Sequence, residues 1–118
     1  MDEQAFKERM KRLAMRVVRL VEMLPKRQAA QVLGNQLLRA GTSVGANYRA
    51  ACRGKSTADI IAKLGIVEEE ADESLYWMEL LHELGFIPPA VHVSDVMSEA
   101  NEIVAMTVAS IKTLRGRR

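Results

Sequence analysis

An all-α fold, an antiparallel up-down four-helix bundle, is predicted by three observations. Apolar residues recur at alternating steps of three and four through most of the 118 residues, the spacing of one helix face. Proline and capping signals divide that pattern: Pro25, Ser56 and the Pro88-Pro89 pair separate four helical segments. Nothing in the chain reads as a strand. The length suits one domain spanning residues 1–118, with expected helices at about 2–24, 26–54, 57–85 and 94–114.

In the first segment Phe6, Met10, Leu13, Val17, Leu20 and Leu24 form a heptad-like seam. Pro25 ends it, because its ring clashes with the preceding turn and it has no N–H, and proline can also open the next helix. The second segment carries Leu33, Leu37, Ala40, Val44 and Ala51 at the same spacing. Ser56 and Asp59 make a plausible cap for the third, whose expected core is Ile60, Leu64, Val67, Ala71, Leu75, Met78 and Leu81. Gly85 is a natural residue just past its end. In the fourth, Met97, Ala100, Val104, Thr107, Ile111 and Leu114 line one face, and Lys112 and Arg115 suit the C-terminal dipole.

One stretch, AGTSVGANYRAACRGKST (residues 40–57), ends in Gly-Lys-Ser-Thr and invites comparison with a phosphate-binding loop. That loop requires Gly-x-x-x-x-Gly-Lys-Ser/Thr after a strand, and Arg49 stands where the first glycine belongs. Read instead as helix, the stretch is a face of small side chains. Each helical glycine costs ~1 kcal/mol, which close approach of another backbone would offset. Gly41 and Gly45 are one turn apart, with Ser43 beside them, so this face serves either packing within the bundle or an oligomer interface. Asn47 and Tyr48 would add polar specificity to either contact.

RAGTSVGANYRAA (39–51) followed by KSTADIIAKLGIVEEEADESLYWMELLHELG (55–85) closely resembles the bacterial four-helix bundle family named for the 23S ribosomal RNA intervening-sequence protein. The resemblance implies an up-down bundle assembling into a ring-shaped homopentamer with no known enzymatic activity. A distant relative of that family is the accessory protein of diversity-generating retroelements, a basic pentamer that binds nucleic acid and a reverse transcriptase. The net charge here, +2, departs from that basic character.

Charge is distributed unevenly along the chain. Residues 1–58 hold twelve Lys/Arg against four Asp/Glu, whereas 59–118 hold five against eleven. Arg9, Arg12, Arg16 and Arg19 fall within about an 80° arc beside the first helix's seam, and Glu68, Asp72, Glu79 and Glu83 within about 60° beside the third's. The two stripes are expected to pair, within or between subunits. The alternative partner is RNA or DNA. Its phosphates would be met by Lys7, Lys11, Lys26 and Arg27 with the Arg115, Arg117 and Arg118 tail. With Phe6, Tyr48, Tyr76, Trp77 and Phe86 as the only aromatic residues, base stacking has few platforms, and Trp77 reads as a core or interface anchor.

Other chemistries find little support. Glu79 and His82 have the Glu-x-x-His spacing of di-iron bundles, but a second pair is missing and His82 reads as a polar residue on the bundle side. Neither His82 nor His92 accompanies a nucleophile motif. Cys52 is alone and reads as a small buried hydrophobe. No apolar run approaches the ~18 residues of a membrane span, and the first twenty residues lack a signal-peptide core. The expectation is a cytoplasmic, non-enzymatic assembly or scaffolding module without cofactor, metal or small-molecule substrate, whose partners are copies of itself or nucleic acid.

Overall fold

A computed structural model of the chain describes residues 2–117. Among these the chain forms four helices, α1 (Glu3–Glu22), α2 (Gln28–Cys52), α3 (Thr57–Glu83) and α4 (Val93–Gly116). They stack into an elongated bundle of 48 × 22 × 20 Å. Helices of 20 to 27 residues at 1.5 Å per residue supply about 30 to 40 Å of that long axis. Each helix runs antiparallel to its sequence neighbour. α2 packs on α1 and α3, and α4 packs closely on α3 and more loosely on α1; α1 and α3 stand at opposite corners and do not meet.

The ends of the helices follow from local chemistry. At α1 the Asp2 carboxylate accepts the Gln4 amide at 3.0 Å. α1 stops at Glu22, two residues before the expected Leu24, because the residue preceding a proline is pushed out of the helical region. Pro25 does not open α2; a turn in which Arg27 N–H donates to Pro25 C=O at 2.8 Å intervenes, and α2 begins at Gln28. α3 has a reciprocal cap. The Asp59 amide donates to Ser56 Oγ at 3.1 Å, and the Lys55 amide donates to Asp59 Oδ2 at 3.0 Å. The Lys55 amide bond, followed by the Lys63 ammonium, holds the Asp59 carboxyl below its usual range. Ser56→Ala is expected to cost about 1 kcal/mol in urea denaturation. Gly85 closes α3 at φ +76°, with Phe86 N–H donating to Leu81 C=O and Gly85 N–H to His82 C=O, both at 3.0 Å. That pair of bonds satisfies carbonyls that the helix end leaves free.

The α1 seam is buried as the spacing predicts, from Phe6 through Leu24. On α3 and α4 the inward residue is sometimes the neighbour of the expected one. Ile61 rather than Ile60, Ser74 rather than Leu75, Val96 rather than Met97 and Ile103 rather than Val104 are buried, and Val93 joins them. The displaced residues still pack against the edge of the core. The two buried hydroxyls bond back into their own helices, Ser74 to Glu70 C=O at 2.8 Å and Thr107 to Ile103 C=O at 2.7 Å. Neither is left unsatisfied.

Small residues let α1 and α2 come together. A Cβ at Gly34 would lie 2.7 Å from Leu24 Cδ1, one at Gly41 would lie 2.8 Å from both Val17 methyls, and one at Gly45 would touch Met10. The two readings of the small-residue face are thereby separated at these positions: it is the seat of α1 within the subunit.

Candidate functional site

Chemistry that could act on a substrate is sparse. Among the described residues no three His, Cys, Asp or Glu side chains are grouped to hold a metal ion. His82 is exposed, a correction to its expected place on the bundle side, because Met78 and Leu81 hold the inward positions of the last turns of α3. Tyr48 and Cys52 line an open, mainly apolar cleft between the start of α1 and the ends of α2 and α4. Burial pushes both the Tyr48 phenol and the Cys52 thiol up from their ordinary values, so neither is an activated nucleophile at neutral pH. Cys52 is half-buried rather than fully enclosed.

Tyr48 itself is 8% exposed, its ring edge-on to Phe6 with centroids 5.4 Å apart. Asn47 donates to Ser43 C=O at 2.8 Å and Ser43 Oγ to Ala40 C=O at 2.8 Å. With Gly41 and Gly45, these residues serve their own helix or the α1–α2 contact.

The charged side chains define the remaining surface. Arg9 grips Glu99 of α4 with two parallel bonds, Nε to Oε1 at 2.8 Å and Nη2 to Oε2 at 2.9 Å, with Glu102 at 3.7 Å. Its Nη1 also lies 3.0 Å from Met106 Sδ. This fork closes the looser α1–α4 seam. Its hydrogen bond holds the Glu99 carboxyl below its ordinary 4.5 against the opposing effect of burial. On the other side of the bundle Arg39 of α2 spans Glu70 and Glu73 of α3, and the Trp77 indole, half-buried, donates to Glu73 at 3.2 Å. Neither Arg9 nor Arg39 was paired with these partners by spacing alone, because both contacts join helices at positions far apart in sequence.

The expected pairing of the α1 and α3 stripes does not occur within the chain. Diagonal helices cannot bring Arg12, Arg16 and Arg19 to Glu68, Asp72, Glu79 and Glu83, and Arg9 is taken by α4. Among the described residues none of those seven has an in-chain ion pair. The proposed phosphate contacts are also dispersed. Lys26 and Arg27 sit at the α1–α2 turn, where Arg27 lies 5.2 Å from the Phe86 ring centre, while Arg115 and Arg117 lie at the opposite end. Lys7 is paired with Glu3 at 3.2 Å, whereas Lys11 is exposed and unpaired among the described residues. Arg118 lies outside them.

A single bundle of four antiparallel helices with charge-bearing faces defines the class. The chain belongs to the 23S rRNA-intervening sequence protein family, whose profile matches residues 2–109. It is similar to a crystal structure described as a protein with unknown function from the S23 ribosomal protein family of Bacteroides thetaiotaomicron VPI-5482. The two share 36% identity at a TM-score of 0.85, over 95% of this chain and 99% of that one. A comparison with curated proteins finds no match. No helix among the described residues is long and apolar enough to cross a membrane.

Proposed function

We propose that this chain is a non-enzymatic, cytoplasmic assembly module, a homo-oligomer whose resemblance to its family implies a pentameric ring and which serves as a scaffold for a further partner. The observation that carries this reading is the placement of unpaired charge. Arginines of α1 and carboxylates of α3 face away from each other at opposite corners of one subunit, an arrangement that a second subunit can complement. Absolute mass by light scattering at low and high salt tests it. The expected result is a mass near five subunits that loosens as salt screens the charges. A monomer at every concentration and salt would refute the reading.

The second reading is a nucleic-acid-binding ring, favoured by the exposure of Lys11, Arg12, Arg19 and Lys26 without in-chain partners among the described residues. Anisotropy titrations with single-stranded and duplex RNA and DNA distinguish it, because phosphate contacts make affinity fall steeply with salt. Absence of binding at low salt would end it.

A further inference from the structure

α3 contains a glycine that the subunit does not use. Gly65 lies inside the helix, and a Cβ placed there would find nothing within 4 Å. Replacing alanine by glycine in a helix interior costs ~1 kcal/mol, and no packing within the chain offsets it. Ile66 beside it is 41% exposed, and Tyr76, about three turns further along the helix, is 54% exposed. Glu69 and Asp72, both exposed, border the same face.

The outer face of α1 carries the complementary pattern. Ala14, Met15 and Val18 line a shallow groove between Lys11 and Arg19, with Met15 45% exposed and Arg12 exposed beside it. Each face thus carries exposed apolar residues bordered by charge, basic on α1 apart from Glu22 and acidic on α3. Because the two helices stand at opposite corners, the faces point away from one another.

We propose that the outer face of α1 docks on the outer face of α3 of a second copy of this chain, with the Met15–Val18 stripe against Gly65 and the α1 cations facing Glu69 and Asp72. This rests on the homo-oligomer reading above and specifies its geometry. The contact is heterologous, so every docked pair leaves one free α1 face and one free α3 face. Addition therefore continues into a ring where the rotation between copies closes, and into an open filament where it does not. Gly65 supplies the close approach, the aliphatic side chains supply the apolar contact, and the charges favour α1 against α3 over either face against itself.

The test uses two surface variants, Met15→Glu with Arg19→Glu on α1, and Gly65→Glu with Ile66→Glu on α3, each checked for helix content by circular dichroism. Each alone is expected to run as a monomer by light scattering. Their equimolar mixture is expected to stop at twice the subunit mass, since only one intact pairing remains. A second measurement does not depend on disrupting anything. In a Cys52→Ser background, mild oxidation of Met15→Cys subunits mixed with Ile66→Cys subunits should yield mixed disulfide dimers. Variants that assemble like the wild type, without mixed disulfides, would overturn this interface and leave the oligomer standing. Two monomeric variants that stay monomeric when mixed would overturn the head-to-tail geometry. A wild type that is itself monomeric would remove the oligomer and this contact together, and retention of a labelled RNA by that monomer, lost with Met15→Glu and Arg19→Glu, would assign the α1 face to nucleic acid.

Discussion

Gly41→Leu is expected to lower subunit stability by about 3 kcal/mol, the upper part of the range for overpacking a close contact. The Cβ alone would lie 2.8 Å from both methyls of Val17. Valine is branched at Cβ and has little rotamer freedom in a helix, so relief must come from separating α1 from α2. That separation would also expose Met10 and Leu13, which are almost fully buried. Gly65→Ala is the contrasting change. Within the subunit Gly65 has open space around it, so in the Met15→Glu, Arg19→Glu background, where no second copy docks there, the added methyl should raise stability by about 0.5 to 1 kcal/mol through helix propensity. Urea denaturation of both variants at equal subunit concentration measures the pair. Equal effects would mean that at least one of the two glycines is not placed as described.

The second large effect is expected at the α1–α4 seam. Arg9→Ala should cost about 2 kcal/mol, because it leaves a partly buried carboxylate on α4 without its donor. Glu99→Gln should recover part of that loss in the Arg9→Ala background, and a double-mutant cycle isolates the pair. The contribution depends on pH in a defined direction. Glu99 is held below its ordinary 4.5 by the Arg9 hydrogen bond, so the unfolded chain binds that proton more tightly than the folded one. The stabilisation is therefore complete above about pH 4.5 and disappears as pH falls through the lower folded-state value. Arg9 itself is raised above its ordinary value by the Glu99 hydrogen bond and stays charged throughout this window. The stability difference between wild type and Glu99→Gln should be widest near neutrality and close on acidification. A gap that stayed constant from pH 7 to pH 3 would show that the Glu99 charge does not act through this pair.

Much of the fold was legible because apolar spacing and capping chemistry are local. The α1 seam reads directly as a buried face, and Ser56 with Gly85 marks both ends of α3. Ambiguity arose where two apolar residues are adjacent. Ile60 and Ile61, or Ile103 and Val104, satisfy a helical period almost equally, and the position of the neighbouring helix decides which turns inward. The candidate surfaces were only half legible. Arc arithmetic finds a basic and an acidic stripe, but not the helices that lie between them.

The sequence by itself determined four helices, their boundaries to within about two residues, an up-down bundle and family membership. Each follows from spacing, turn chemistry or short motifs that need no knowledge of distant neighbours. Only the tertiary structure decided that Arg9 belongs to Glu99, that Gly41 and Gly45 are filled from within the subunit, and that Gly65 is not. The physical reason is that a helical wheel gives a side chain's direction about its own axis, while its partner depends on which helix stands at the adjacent corner. In this bundle α1 and α3 stand on the diagonal, leaving their outer charges available to another molecule.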